Sequence, residues 1–192
     1  MKVDGKSWYA FVIMLLCATS AIAADRYQAT INLFKNAGES RKFLAESYGY
    51  AVIPTIGEAG LGIGGAHGKG RVYERGRLVG NVTMNQLSIG FQAGGKAYSE
   101  IIFFQNRDAF NEFTSGNFEF GADVSAVAIT AAVNAEVNTA GGTSAGASGG
   151  KHDATTVGGY RHGLAVFTIA KGGLMYQAAL EGQKFSYRKR AR

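Results

Sequence analysis

The chain has 192 residues, a size that suits one domain with a sizeable hydrophobic core. Hydrophobic residues make up 46% of it, which excludes a disordered chain even though 28 residues are glycine and only Pro54 is proline. The formal net charge of +6 favours an anionic partner, and nucleic acid is not expected because a recognition helix and a base-stacking motif are both missing from the sequence.

The first 23 residues have the pattern of a cleaved signal peptide. A basic start precedes an apolar run over residues 8–16, and Ala21 and Ala23 supply the small residues that signal peptidase requires. The run is too short to span a bilayer. Cys17 does not fit a lipoprotein signal, because a leucine precedes it. We expect export, with the mature protein in the periplasm, at the outer-membrane periphery or secreted.

Cleavage after Ala23 would remove the single cysteine, so the mature chain would have no disulfide, thiol nucleophile or thiolate metal site. Two lysines and one aspartate would leave with the signal, which gives a mature net charge of +5. No linker divides the remainder. The sequence therefore predicts a signal peptide over residues 1–23 and a single domain over residues 24–192.

Two helices are predicted at the start of this domain. The first covers residues 25–37, where apolar side chains recur at i, i+4 and i+7. This apolar stripe consists of Tyr27, Ile31 and Phe34. The stripe is narrow, so it can pack on the domain core or insert into a membrane, and the sequence leaves both possibilities open. The second helix covers residues 40–48 and turns Phe43, Leu44 and Tyr48 inward.

From Tyr50 onward the hydrophobic period changes to two, which predicts half-buried antiparallel strands. The residues predicted to face the core in two of these strands are Leu78, Val82 and Met84, and then Leu87, Ile89 and Phe91. Arg75–Gly76 and Gly94–Gly95 are predicted hairpin turns. Glu100–Phe104 is predicted to be a strand that is buried on both faces.

The second half of the chain alternates short elements with one long loop. Residues 106–113 are predicted to form a short helix capped by Asn106. Residues 124–138 fit both a strand and a helix, and their β-branched side chains favour a strand. Residues 139–153 are rich in Gly, Ala, Ser and Thr, which predicts a mobile loop.

Strands return near the C-terminus, followed by a basic tail over residues 188–192. The predicted strands are Leu164–Ile169, Leu174–Leu180 and a last one in which Phe185 and Tyr187 face inward. The fold class is therefore α+β and dominated by β-structure. We expect a curved, Gly-rich antiparallel sheet or barrel-like domain with an N-terminal helical segment and one short internal helix.

Three motifs that could carry chemistry have weak support. Gly60–Gly65 matches a dinucleotide-binding pattern, but the sequence after it predicts another strand and not the helix that would bind the phosphates. Two matches to the serine-hydrolase elbow lie within residues 142–150, in low-complexity sequence that cannot preorganise a triad. The histidines His67, His152 and His162 are scattered, so we expect surface histidines in turns and no metal site.

The two basic ends of the mature chain are the candidate site. A cation near an anionic bilayer contributes about 1 kcal/mol, and inserted apolar side chains would add to the affinity. The candidate lipid-binding residues are Arg26, Tyr27, Ile31, Phe34, Lys35, Arg41, Lys42, Lys184, Arg188, Lys189 and Arg190. The alternative for the tail is a solvated end that aids solubility.

The block from Gly49 to Tyr187 resembles the SYLF-domain family, in a form typical of bacterial secreted members. The matching stretches keep their order and spacing and are Gly49–Pro54, Gly60–Gly70, Ser88–Gly95, Glu100–Phe104, Phe118–Gly121 and Gly172–Leu174. The chain departs from the family at Val79–Met84, where eukaryotic members have a tryptophan-containing segment. It also lacks the Asn- and Tyr-rich ending of many members after Tyr187.

This resemblance implies a non-catalytic lipid-binding domain, because eukaryotic members bind phosphoinositides through an N-terminal amphipathic segment and basic residues. An exported bacterial protein does not ordinarily meet phosphoinositides, so bacterial anionic phospholipid is the expected partner. Some members also bind and bundle actin, and a protein-interaction module with an envelope or host partner such as actin is the alternative. A serine hydrolase is the third reading. We expect no catalytic residues, no cofactor and no metal.

Overall fold

A computed structural model describes residues 26–37, 40–120, 126–128, 159–171, 180 and 182–191, and at residues 61–63, 88–95 and 126–128 the description covers the backbone alone. The elements are α1 (residues 26–36), α2 (Ser40–Glu46), β1 (Gly49–Glu74), β2 (Arg77–Phe104), α3 (Arg107–Phe113), β3 (Asn117–Glu119), β4 (Ala126–Ala128), β5 (Leu164–Ala170) and β6 (Lys184–Lys189). The predicted signal peptide, the loop over residues 139–153, residues 174–179 of the predicted strand Leu174–Leu180 and most of residues 124–138 lie outside the described residues.

A long hairpin of β1 and β2 forms the body of the molecule. The turn between the strands is Arg75–Gly76, with φ angles of 48° and 77°, the left-handed conformation at both positions that matches the twist of paired strands. This predicted turn is confirmed. The predicted turn at Gly94–Gly95 is wrong, because β2 continues through these residues and pairs them with Gly60 and Ala59.

The hairpin curls because β1 contains irregular pairing and close backbone approaches. A bulge between Ile53 and Ile56 accommodates Pro54, which has no N–H to offer the ladder, and Ser99 Oγ donates a 2.8 Å hydrogen bond to the Pro54 carbonyl. Farther along, a Cβ atom on Gly70 would lie 2.8 Å from the Val52 carbonyl oxygen. The later part of β1 therefore bends over its own beginning.

The described strands form one six-stranded sheet with β2 at its centre. The order is β3-β6-β2-β5-β4, and β1 pairs along the other edge of β2. All pairs are antiparallel except β4 with β5. The sheet is a curled half-barrel, and the prediction of a β-dominated α+β fold is confirmed.

Hydrophobic side chains pack on both faces of this sheet. The concave face holds the inner cluster, which includes Ile53, Met84, Ile102, Phe104 and Phe185, and α3 covers part of it with Ala109, Phe110 and Phe113. The predicted cap of α3 is confirmed, since the Asn106 side chain accepts a 3.0 Å hydrogen bond from the Ala109 N–H. The outer face holds a second cluster beneath α1 and α2, described below.

The predicted alternation holds in the middle of β2 and fails at Leu78 and Leu87. Beyond the register shift at Val72/Tyr73, Leu78 pairs with Tyr73, which packs on the outer cluster, so Leu78 does not share the face of Val82 and Met84. Glu100–Phe104 is buried on both faces, and Val82 and Met84 face the core, as predicted. Leu87 is 73% exposed, so its predicted inward orientation is wrong. Since Val82 and Met84 point inward, strict alternation turns odd-numbered Leu87 outward. The side chains of Ile89 and Phe91 lie outside the description.

The predicted helices are present with slightly different ends. α1 covers residues 26–36 of the predicted 25–37, and α2 covers Ser40–Glu46 of the predicted 40–48. Phe43 and Leu44 are partly buried against the outer cluster, and Tyr48 packs on the inner one. None of the described helices is long and apolar enough to cross a bilayer.

Candidate functional site

The helix α1 is docked on the outer face of the sheet. Ile31 is 6% exposed and Phe34 is 0% exposed, and both belong to the outer cluster together with Val52, Ile101 and Phe167. Of the two possibilities that the sequence left open for the apolar stripe, the structure shows core packing. Ile31 and Phe34 could contact lipid only if α1 left the sheet, so a lipid-binding role for them stays a prediction that requires undocking.

The beginning of α1 contacts two residues of β1, Arg71 through its side chain and Lys69 through its backbone carbonyl. The guanidinium of Arg71 lies 4.2 Å from the centroid of the Tyr27 ring, and the Tyr27 hydroxyl is 3.5 Å from the Lys69 carbonyl oxygen. A cation–π contact of this kind is worth about 0.5–1 kcal/mol at an exposed site. Partial burial raises the pKa of Tyr27, and the nearby Arg71 opposes that rise. Tyr27 is thereby half-buried and holds Arg71 in place.

Arg26 lies beside another cation, Lys171, just after β5. Partial burial lowers the pKa of Lys171, and repulsion by the Arg26 charge lowers it further. The Lys171 ammonium donates a 2.7 Å hydrogen bond to the Thr55 hydroxyl, which orients it on the β1 bulge. The start of α1 is therefore a point where cations from three elements converge.

The same outer face continues across β1, β2 and β6 as rows of polar residues. In one row Arg71 pairs with Asn81, and Asn81 pairs with Arg188 on β6. Because paired residues in adjacent strands share a face, Arg71 and Arg188 lie on the same side, two strands or about 10 Å apart. The next row consists of Lys69, Thr83 and Ser186.

Five cations define what we name the basic face: Arg26, Lys69, Arg71, Lys171 and Arg188. Within the part of the chain that the structure describes, none of the five forms an ion pair with a carboxylate. The following row differs, since Lys184 Nζ lies 3.4 Å from Glu119 Oε2 in an exposed salt bridge. Such a bridge contributes at most about 1 kcal/mol, but it reduces the local charge. Uncompensated positive charge is therefore concentrated on the basic face.

The structure separates the other predicted site residues from this face. Lys35, Arg41 and Lys42 are exposed on the helices. Lys35 follows Arg26 by nine residues, which places it about 13 Å along α1 and on the opposite side of the helix. Lys189 follows Arg188 in a strand and so points to the other side of the sheet. The Arg190 N–H donates a 2.9 Å hydrogen bond to the Val79 carbonyl, which extends the ladder beyond β6.

Three cations of the basic face were not predicted from the sequence. Lys69 and Arg71 did carry a signal, because they alternate with Gly68 and Gly70 and must share one face of a strand. Lys171 carried none, since its proximity to Arg26 depends on the docking of α1 against β5.

The motifs that suggested other chemistry do not form sites among the described residues. Gly60–Gly65 lies inside β1, which continues to Glu74 without the helix that a dinucleotide site needs. His67 is exposed in a strand, not in a turn as predicted, with its Nδ1 2.8 Å from Asn85 Oδ1. His162 does lie in a tight turn. No group of three or more metal-ligating side chains occurs in the described ranges. The two hydrolase-like segments and His152 lie outside them.

Comparison with known proteins places the chain in a family. Residues 85–192, more than half of the chain, match the family model described as Ysc84, Las17-binding protein actin regulator. The chain belongs to the Ysc84 family. This is the SYLF family, and the membership expected from the sequence motifs is confirmed. The family consists of binding domains and is not a known enzyme family, which supports a non-catalytic binding domain in general terms.

A curated relative covers more of the chain at lower similarity. It is the Beta cell expansion factor A of Aeromonas veronii, 25% identical over 159 residues, which are 82% of this chain and 52% of the relative. The chain therefore spans about half the length of this relative.

Proposed function

We propose that the domain binds anionic phospholipid membranes through the basic face. The observation that carries this proposal is the convergence of Arg26, Lys69, Arg71, Lys171 and Arg188, without carboxylate partners among the described residues, on one side of a rigid sheet. An array of uncompensated cations on one face suits the surface of a bilayer that contains anionic lipid. In keeping with the predicted signal peptide, the membrane is one of the bacterial envelope.

The expected affinity follows from the charges and from one exposed side chain. Five cations at about 1 kcal/mol each give about 5 kcal/mol, which alone corresponds to a dissociation constant of about 0.2 mM. Leu87 lies in the outward row of β2 and is 73% exposed, so its insertion would add roughly 1.5–3 kcal/mol. Together these terms give a dissociation constant of about 1–20 µM. In this proposal Leu87 supplies the apolar insertion that the stripe of α1 could supply only if α1 left the sheet.

Co-sedimentation with vesicles tests this proposal. The purified protein is mixed with neutral or anionic phospholipid vesicles at low and high salt. We expect binding to anionic vesicles that weakens as salt increases, because surface charges are screened within about 10 Å at 0.1 M salt. Absence of binding to anionic vesicles at low salt would refute the proposal.

Charge-reversal variants locate the binding surface. The double variant Arg71→Glu and Arg188→Glu should weaken binding by at least thirtyfold, since four units of charge change at about 1 kcal/mol for each cation lost. The control variant, Arg107→Glu and Arg161→Glu, makes the same charge change at exposed residues outside the basic face. Equal losses in the two variants would indicate an effect of net charge alone. A larger loss from reversing Arg41 and Lys42, which also changes four units of charge, would place the site on the helices instead.

A protein partner is the second candidate, and the family description favours it. That description names binding to Las17 and actin regulation for the family. For this chain we propose an envelope or host protein as the partner, which would bind saturably and independently of lipid charge. Co-sedimentation with actin filaments, without vesicles, separates the candidates. Saturable pelleting with filaments supports the second, and its absence removes actin from consideration.

A further inference from the structure

A cluster of polar side chains lies inside the concave face, apart from the basic face. It comprises Tyr98 and Glu100 on β2, Thr168 on β5 and Gln183 immediately before β6. Each is at most 2% exposed, and Glu100 is 0% exposed. We name these four residues the buried polar cluster. Burying a carboxyl group in such a position costs free energy unless the group is paired or neutral.

Gln183 connects this cluster to the last strand. Its Nε2 atom donates a 3.1 Å hydrogen bond to the Tyr98 hydroxyl and lies 3.3 Å from Glu100 Oε2. Glu100 and Thr168 are paired across β2 and β5, so their side chains lie next to each other. Among the described residues, Glu100 Oε1, Thr168 Oγ1 and Gln183 Oε1 have no hydrogen-bond partner.

The surroundings of Glu100 disfavour its charged form. Complete burial raises the pKa of Glu100 to about 8, and the hydrogen bond from Gln183 opposes this rise only in part. The groups that face it are Ile53 from β1, Thr168 from β5, Gln183 and Tyr98. Tyr98 is the other titratable group among them, and no described cation compensates the carboxylate. Glu100 is therefore neutral at pH 7 and ionises slightly above it.

Among the segments that the structure describes around Glu100, the one that begins at Gln183 is the least firmly paired. The central strands are paired on both sides there, since β1 and β5 flank β2 along residues 98–104. By contrast, β6 pairs with β2 only over Gly80–Asn85 and with the three-residue strand β3. The backbone of Gln183 is held by two hydrogen bonds, to Phe120 N–H at 3.1 Å and to the Leu180 carbonyl at 3.0 Å.

We propose that Glu100 and Gln183 form a proton-controlled latch, in which neutral Glu100 keeps the start of β6 closed on the sheet and ionised Glu100 opens it. An ionised carboxylate with one unpartnered oxygen requires water, and displacing the Gln183 segment is the least costly way to admit it. The latch is argued from the burial and hydrogen bonding of the buried polar cluster, together with the raised pKa of Glu100. A consequence that rests on the proposed function is that opening would displace Arg188 from the basic face.

Hydrogen exchange of the purified protein tests the latch. Opening returns Glu100 to a solvated state with its ordinary pKa of 4.5, against about 8 when closed. Linkage then predicts that the protection of β6 amides falls about tenfold between pH 7 and pH 9, after correction for intrinsic exchange. The Tyr187 amide, which donates to the Gly116 carbonyl, reports on β6, and the β5 amides are the internal reference that should stay constant.

Glu100→Gln is the decisive variant, because it keeps the shape of the side chain and cannot ionise. Its β6 protection should not change over the same pH range. A fall of equal size in this variant, or in β5 together with β6, would overturn the latch. Titration of the Glu100 carboxyl carbon by NMR in the unmodified protein gives an independent check, since its midpoint must coincide with the pH at which β6 protection stops falling. A midpoint below pH 6 would overturn the proposal as well.

Discussion

Truncation of Phe34 to alanine tests whether α1 is docked on the sheet in solution. Phe34 is 0% exposed and packs in the outer cluster, so Phe34→Ala removes a fully buried ring and leaves a cavity. Such substitutions cost about 3–5 kcal/mol of unfolding free energy. Alanine is the best helix former, so the loss cannot come from helix propensity.

The neighbouring residue supplies a matched control. Leu33 lies in the same helix but is 40% exposed, so Leu33→Ala should cost only about 1 kcal/mol. The expected difference between the two variants is therefore about 2–4 kcal/mol. Urea denaturation measures it, provided that the slope of free energy against urea is the same for both variants.

Equal destabilisation by the two variants would refute this reasoning. So would a Phe34→Ala variant within 1 kcal/mol of the unmodified protein. Either result would mean that α1 is not held on the sheet in solution, and that its apolar stripe is free to enter a bilayer. Vesicle binding gives a second reading of the same question, since a docked Phe34 predicts that the folded Phe34→Ala variant binds anionic vesicles as well as the unmodified protein does.

Three further predictions concern the sheet, a helix cap and pH. Gly70→Ala should lower the free energy of unfolding by about 1–3 kcal/mol, because the new Cβ would lie 2.7–2.8 Å from two side chains and a carbonyl oxygen. Gly57→Ala in the same strand is the control: its Cβ would meet nothing within 4 Å, so urea denaturation should show almost no change. Asn106→Ala should cost about 1 kcal/mol by removing the cap of α3, and an unchanged urea midpoint would contradict that role. Because the folded-state pKa of Glu100 is raised from 4.5 to about 8, its contribution to stability is lost as pH rises through this window. Between pH 7 and pH 9 the free energy of unfolding of the unmodified protein should fall by about 1.4 kcal/mol relative to that of Glu100→Gln, which corresponds to about 3–5 °C in melting temperature. If the melting temperatures of the two proteins changed equally over this pH range, the raised pKa of Glu100 would be contradicted.

The sequence predicts those parts of the fold that depend on neighbouring residues. Arg75–Gly76 forms its turn because both residues tolerate the left-handed conformation, and Asn106 caps α3 because its side chain reaches an N–H three residues away. The strand Glu100–Phe104 was also predicted, since a continuous apolar run indicates burial on both faces.

Features that depend on distant pairing were missed. Gly94–Gly95 has the composition of a turn, but its pairing with Gly60 and Ala59 some 35 residues earlier keeps it in β2. Leu87 alternates with polar residues, which predicts that it faces the core, but its pairing with Gly65 of β1 turns its side chain to the outer face. In the candidate site, Arg26 and Arg188 were predicted, whereas Lys171 joins them only through the docking of α1. Local composition carries no information about such contacts.

The long hairpin also has a consequence for the order in which the chain can fold. The two-residue turn at Arg75–Gly76 closes a very small loop, and pairing can then advance outward one rung at a time at little further entropic cost. The rungs between Gly57 and Gly65 are rich in glycine, which specifies register poorly, so this stretch is where zipping should slow. The last pair of the hairpin joins Gly49 to Phe104. Phe104 also pairs with Leu164 of β5, a strand that comes 60 residues later in the sequence. The hairpin can thus form before β5 pairs with it. The outer cluster on which α1 and α2 dock includes residues of β5, so these helices can dock fully only afterwards.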